Sequence, residues 1–154
     1  MAFKDLRDFV ARLEKEGELK KFTEEVHWNL EAGAITRRAL ETGLPAPFFE
    51  KVSGYPQGYR LASSVLANLK RIAIAMDMST DTPMRELIEE YLRRQKKPVK
   101  PVTVKSGACK ENILLGDKAD LLKFPVPFIH DGDGGRYLGT WHLTVTRDLD
   151  SDWQ

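Results

Sequence analysis

The sequence predicts an α+β fold: a small N-terminal mixed α/β domain, followed by a segment in which β structure takes over. Three observations predict it. Apolar residues recur at helical spacing in four places before residue 97, each bounded by capping or breaking residues. Two short apolar runs, Phe48 to Val52 and Arg60 to Leu66, flank the turn Gly54-Tyr55-Pro56 as a hairpin would. From Pro98 onward Pro98, Pro101, Pro125 and Pro127 punctuate short apolar runs, Val102 to Val104, Ile113 to Leu115 and Val126 to Ile129. The boundary lies between Pro98 and Pro125, and the division taken is residues 1–110 and 111–154.

The elements follow in order. Asp5 to Glu16 carries Leu6, Phe9, Val10 and Leu13 on one stripe, and Gly17 is a natural stop. Glu18 to Phe22 reads as a short edge strand. Asn29 is placed to cap a second helix running to about Thr42, with Gly43 ending it and Pro45 and Pro47 barring its continuation. Asn68 is placed to cap a third helix with Leu69, Ile72, Ala73 and Met76 inward. Thr82 as cap and Pro83 at the first position open the fourth, whose apolar residues are Met84, Leu87, Ile88, Tyr91 and Leu92. Arg93, Arg94, Lys96 and Lys97 follow at its end, where cations complement the helix dipole.

The last segment reads as a strand from Tyr137 to Thr146. Tyr137, Gly139, Trp141, Leu143 and Val145 share one face; Leu138, Thr140, His142, Thr144 and Thr146 share the other. Asp148, Asp150, Ser151 and Asp152 supply turn chemistry, so a returning strand is expected from Trp153. A strand without its partner presents a row of unpaired N–H and C=O groups. Either another chain supplies the partner, or the sequence is the front part of a longer protein.

With 42% hydrophobic and 31% charged residues in 154, the composition is that of a globular protein able to bury a core. A net charge of +1 gives no global field for nucleic acid or an anionic membrane. No apolar run approaches the roughly 20 residues that span a bilayer. Met1 to Asp8 mixes acids and bases and does not resemble a signal peptide, and the single Cys109 has no internal disulfide partner, so the expected compartment is the cytoplasm.

Candidate chemistry is sparse. Asp131-Gly132-Asp133-Gly134-Gly135 fails as an EF-hand, because position 12 counted from Asp131 is His142 where a Glu is needed, and it lacks the Gly-Lys-Ser/Thr ending of a phosphate loop. The local reading is a tight turn whose glycines permit positive φ. His130, Asp131 and Asp133 are three donors without a fourth. His27 has no partner at ligand spacing. His142 lies on the Thr-rich face, which is either solvated or lines a cofactor site. Cys109 precedes Lys110 but has no neighbouring His, the pattern of an inert packed thiol. The basic run Arg93 to Lys97 lacks the interleaved aromatics of a nucleic-acid patch. On the residues alone no reaction is identified.

The order of segments resembles the UbiD family of decarboxylases. Asp5-Leu6-Arg7 with Phe9, Leu13-Glu14 and Gly17-Glu18-Leu19 look like that family's opening helix and strand, and Glu31-Ala32-Gly33-Ala34-Ile35-Thr36-Arg37-Arg38 like its second helix. Phe49-Glu50-Lys51-Val52-Ser53-Gly54 is similar to its first hairpin. Cys109-Lys110-Glu111-Asn112 and Asp120-Leu121-Leu122-Lys123-Phe124-Pro125-Val126-Pro127 resemble the crossing into the cofactor domain. His130-Asp131 through Asp133-Gly134-Gly135-Arg136-Tyr137, with Thr146-Arg147-Asp148, looks like that domain's first hairpin.

The resemblance implies a split β-barrel flavin-binding domain beginning within residues 111–154. It implies decarboxylation of an aromatic or α,β-unsaturated carboxylic acid with prenylated FMN, Mn2+ and K+, in an oligomeric enzyme. The family's metal ligands and its catalytic glutamate–arginine–glutamate set fall beyond these residues, so no metal or catalytic residue is assigned. Thr140 is the best match to a cofactor-pocket residue, with His142 on the same face and Trp153 flanking. The expectation is the N-terminal portion of a decarboxylase, inactive alone, with a homo-oligomeric full-length form and neither a nucleic-acid nor a membrane partner. The competing expectation is a non-catalytic subunit or assembly module that pairs its terminal strand with another chain.

Overall fold

The computed structural model describes residues 3–100, 102–139 and 150–151. Its centre is a three-stranded sheet of order β1-β2-β3 with helices on both faces. The elements run α1 (Leu6–Lys15), β1 (Leu19–Val26), α2 (Glu31–Glu41), β2 (Ala46–Val52), β3 (Leu61–Ala62), α3 (Leu69–Ala75) and α4 (Met84–Gln95). β1 and β2 are parallel, which demands a crossover, and α2 supplies it; β2 and β3 are antiparallel across the Gly54 turn. The mixed sheet with helices is the predicted α+β class.

Local chemistry explains most boundaries. Asp5 caps α1 by accepting from the Asp8 N–H at 3.0 Å, and Gly17 at φ +74° ends it. Phe48 and Phe49, adjacent in β2, point to opposite faces. Phe48 joins Phe9 and Leu13 of α1, Leu19, Ala46 and Ile74 of α3; Phe49 joins Val26, Ala32 of α2 and Val52. Each fully buried side chain of this size contributes roughly 1.5–3 kcal/mol.

A buried cation ties this core together. Arg71, 2% exposed, donates through Nε to Glu18 Oε2 at 3.1 Å, through one terminal nitrogen to the Ser64 carbonyl at 2.9 Å, and through the other to the Leu44 carbonyl at 2.6 Å. Asn68 caps α3 by accepting from the Arg71 N–H at 2.8 Å and donates to the same Glu18 oxygen at 3.2 Å. One guanidinium thus joins the start of β1, the loop before β2, the loop after β3 and α3.

Several sequence expectations are corrected. β1 runs to Val26, beyond the predicted Phe22, with one extra residue between Phe22 and Glu25 relative to β2. β2 begins at Ala46 despite Pro47. The ladder uses the Ala46 N–H, to Glu18 O, and the Pro47 carbonyl, from the Ser63 N–H, so the missing proline donor is not called on. β3 is only Leu61–Ala62 because Ser64, at φ +50°, turns the chain and hands its carbonyl to Arg71. Asn29 does not cap α2; Leu30, at φ +65°, occupies the cap position without a side-chain bond, and Glu31 instead accepts from the His27 N–H at 2.7 Å.

In α3, Asn68 caps as expected, but Arg71, Ala73 and Ile74 are the buried residues, while Leu69 is exposed. In α4, Pro83 holds the cap position and the Thr82 hydroxyl donates to the Ser79 carbonyl. Leu87 alone of the stripe is buried, leaving Met84, Ile88, Tyr91 and Leu92 exposed. The basic end of α4 is a solvated helix end as expected. Arg94 caps α3 by donating to the Met76 carbonyl at 2.8 Å, and Glu90 accepts from Arg93 and Arg94 at 2.6 Å.

After α4 the described chain forms no strand. The apolar runs at 102–104 and 113–115 are exposed, and three single 3₁₀ turns, Ala108–Lys110, Gly116–Lys118 and Leu121–Lys123, replace the expected β structure. Short proline-bounded runs need partner strands, and none faces them among the described residues. The strand predicted over Tyr137–Thr146 lies outside the described residues from Thr140 onward.

Two predictions follow from this packing. Replacing Arg71 by Met strands Glu18 and the two carbonyls, and is expected to cost about 3–5 kcal/mol, while Glu18→Gln, which keeps an acceptor, costs less. Urea unfolding checks this; an unchanged midpoint for Arg71→Met removes the guanidinium from the account. The hydrogen bonds from Arg93, then Arg94, pull the Glu90 carboxyl from 4.5 to about 2. A folded-state value below the unfolded one stabilises above the unfolded pKa and is lost as pH falls through the folded one. The stability difference between the chain and its Glu90→Gln variant is therefore expected to be small but present at about pH 6, to shrink as the pH falls below about 4.5 and to vanish only below about pH 2, as read by denaturation across that range.

Candidate functional site: the docked connecting segment

The three residues expected to face a cofactor, Thr140, His142 and Trp153, lie outside the described residues. What the structure describes is how the chain leading to them is anchored on the N-terminal domain. The segment 122–136 returns to the turn between β1 and α2. Phe128 forms a parallel β-bridge with Asn29: its N–H donates to the Trp28 carbonyl at 3.0 Å, and its carbonyl accepts from the Leu30 N–H at 2.8 Å. The bridge is isolated from the three-stranded sheet and lies in the turn that follows β1.

Leu30 explains how the two meet. Its positive φ is costly for a leucine, on the order of 1–3 kcal/mol, and persists because the surrounding structure over-determines it. It turns the N–H toward Phe128 while the Leu30 carbonyl starts α2 by accepting from the Ala34 N–H at 2.8 Å. One turn into α2, Gly33 completes the fit. A Cβ there would stand 2.6 Å from the Ile129 carbonyl oxygen, so the segment lies directly on helix backbone.

Arg136 locks the arrangement. Its Nε donates to the Val126 carbonyl at 2.6 Å; one terminal nitrogen reaches the Phe124 carbonyl at 3.4 Å and the Tyr55 hydroxyl. The Tyr55 hydroxyl in turn donates to the Leu122 carbonyl at 3.0 Å. The guanidinium stacks 4.2 Å over the Trp28 ring and 5.9 Å from the Tyr55 ring centre. Pro125 and Val126 are buried beneath it. Between the anchors, Asp131 to Gly135 forms the expected turn, closed by His130 N–H to Asp133 Oδ2 and Asp133 N–H to the His130 carbonyl, each 3.0 Å. Its glycines, however, do not use positive φ.

The metal reading of this loop gains nothing: no group of three or more His, Cys, Asp or Glu side chains is placed to hold a metal among the described residues. His27 is engaged locally, its Nδ1 accepting from the Asn29 N–H at 3.0 Å. The backbone of Cys109 lies in the 3₁₀ turn Ala108–Lys110. A groove of about 600 Å³ between α2 and β1 is lined by Phe22, Ile35, Ala39, Leu44 and Pro47, with Lys20 and Arg38 at its rim; it holds no acid–base pair and is not at the anchored segment. No helix among the described residues is long and apolar enough to cross a membrane.

Sequence reading missed Trp28, Tyr55 and Arg136 as a set. Gly33 and Arg136 stood inside family-like strings without a role, and Tyr55 read as a turn residue. Nothing local signals the set, because its members lie 27 and 81 residues apart in sequence.

Comparison with known proteins now fits this architecture. The family model described as the 3-octaprenyl-4-hydroxybenzoate carboxy-lyase N-terminal domain matches residues 10–91, and that of the same enzyme's Rift-related domain matches residues 100–154. The mixed α/β domain and the segment anchored on it thus match two domain models of one family in order, and the chain belongs to the UbiD family. It is 36% identical to Ferulic acid decarboxylase 1 of Saccharomyces cerevisiae, covering 97% of this chain and 32% of that protein, and equally to Pyrrole-2-carboxylic acid decarboxylase of Pseudomonas aeruginosa, with the same coverage. Among solved structures, the vanillic acid decarboxylase of Sedimentibacter hydroxybenzoicus in open form superposes with a TM-score of 0.79 at 35% identity, covering 88% of this chain and 30% of that one. An evolved dimeric form of the UbiD-class enzyme HmfF from Pelotomaculum thermopropionicum, in complex with prFMN, gives 0.72 at 28%, covering 87% and 30%. The chain spans about a third of the length of the curated relatives it matches.

The close approach at Gly33 is open to test. Gly33→Ala is expected to strengthen α2 itself by roughly 0.5–1 kcal/mol, since alanine is the better helix former, yet to loosen the segment laid upon it. Amide exchange at Phe128 and Leu30 should speed up while α2 stays protected. Unchanged exchange at those two amides means the segment does not rest on Gly33.

Proposed function

We propose that the chain is the N-terminal portion of a decarboxylase that uses prenylated FMN to interconvert an aromatic or α,β-unsaturated carboxylic acid and CO2. Residues 1–110 form its N-terminal domain; residues 111–154 form the connection and the start of the flavin-binding barrel. The observation that carries this reading is the match of both family models, in order, along one chain. Relatives named as decarboxylases of ferulic, pyrrole-2-carboxylic and vanillic acids support the substrate class, and the prFMN complex of HmfF supports the cofactor.

When bound, the flavin supplies the electron sink for the pair left behind as CO2 departs. In this chain Thr140 and His142, alternate residues on one face of the proposed strand, would line the flavin pocket, with Trp153 beside it. The described residues offer no metal set, so Mn2+ and K+ belong to the proposal for the full-length protein and no step is derived through them. We place the enzyme in the cytoplasm as a homo-oligomer; the exposed stripe Met84, Ile88, Tyr91 and Leu92 favours an assembled state.

The test is direct. The full-length protein, supplied with prenylated FMN and a divalent metal, is expected to release CO2 from at least one of ferulic, vanillic and pyrrole-2-carboxylic acids, and the 154-residue chain alone from none. A full-length protein that retains no flavin and acts on none of these acids refutes the reading.

A further inference from the structure

We propose that Arg136 is a positioning residue: by clamping the segment 122–136 onto Trp28 and Tyr55, it sets where the strand carrying Thr140 begins. This rests on the reading that Thr140 lines a flavin pocket.

The geometry gives three reasons. First, Arg136 follows the turn 131–135 but bonds to carbonyls that precede it, at Phe124 and Val126, so the turn's two ends are held to each other. Second, the same guanidinium meets Trp28 and Tyr55 of the N-terminal domain, so the closed turn is also fixed to a rigid platform. Third, Thr140 follows only four residues on in sequence, so the clamp stands at the root of the proposed strand.

The side chain must be arginine. Val126 takes Nε, Phe124 and Tyr55 take a terminal nitrogen, and the planar face lies on Trp28; a lysine ammonium has neither the fork nor the plane. No carboxylate among the described residues pairs with Arg136. Among the described residues its charge rests against carbonyl oxygens, a hydroxyl and ring faces.

The experiment uses the full-length protein and its Arg136→Met, Arg136→Lys and Tyr55→Phe variants. FMN affinity is read by quenching of flavin fluorescence, with amide exchange and thermal unfolding alongside. Arg136→Met is expected to weaken FMN binding by about tenfold or more, because small misplacements of a site are expensive. Exchange should rise over residues 122–139 and stay at its original rate in β1 and β2. Arg136→Lys should recover little of the loss. Tyr55→Phe, the milder change should Arg136→Met fail to fold, should show a smaller loss of the same pattern.

FMN affinity within about twofold of the original in folded variants whose segment exchanges faster reduces the clamp to a stabilising role and overturns the proposal. Unchanged exchange overturns it as well. If the unaltered protein binds no FMN, the functional reading itself falls and takes this inference with it. Tight binding by both the unaltered protein and the variants overturns the inference alone.

Discussion

A single buried guanidinium sets the terms for the N-terminal domain. A charge placed this deep is tolerable only if it is well partnered, and each guanidinium nitrogen of Arg71 finds an oxygen on a separate segment: Glu18, Ser64 and Leu44. That requirement reaches outward. Ser64 adopts a positive φ to deliver its carbonyl, which cuts β3 to two residues. The loop at Leu44 is held where β2 must begin, one residue before a proline that would otherwise discourage a central strand. The small sheet is thus shaped as much by one cation's need for oxygen as by its apolar faces.

The platform so built carries the second half of the chain. α2 is the crossover that parallel strands require, and its first turn is where the connecting segment lands. Two departures from ordinary helix beginnings mark the place: a leucine at φ +65° and a glycine inside the helix. Each lowers local stability, the glycine through backbone entropy and the leucine through steric strain. Both become intelligible together, since Leu30 turns its N–H to Phe128 and Gly33 clears space for Ile129. Local rules are broken where a longer-range contact is made.

This also explains what was legible in the sequence. Four helices could be read because Phe9 and Leu13 recur at helical spacing and because Asn68 is a good cap in sequence and in structure. The turn from Asp131 to Gly135 was legible from its residue types. Asn29 was misread because its backbone is engaged by Phe128, a contact 99 residues away in number that no local propensity reports. Ile72 and Met76 were placed inward on periodicity, but burying Arg71 rotates α3 so that Arg71, Ala73 and Ile74 face the core. The candidate flavin residues came from family likeness, since alternation along a strand marks a face without naming what covers it.

The clamp at Arg136 differs in kind from the surface ion pairs elsewhere on the chain. Arg37 with Glu41 and Arg85 with Glu89 are exposed helical pairs at 2.8 Å, of the sort that contributes little and weakens with salt. No carboxylate among the described residues pairs with Arg136. Carbonyl oxygens accept from its fork and an indole ring lies 4.2 Å from its central carbon, so directional contacts rather than an ion pair hold it. Such a contact is sensitive to angle. That is the property needed at a joint whose orientation has to be transmitted, because a contact held only by net charge would keep the pieces together without fixing how they sit.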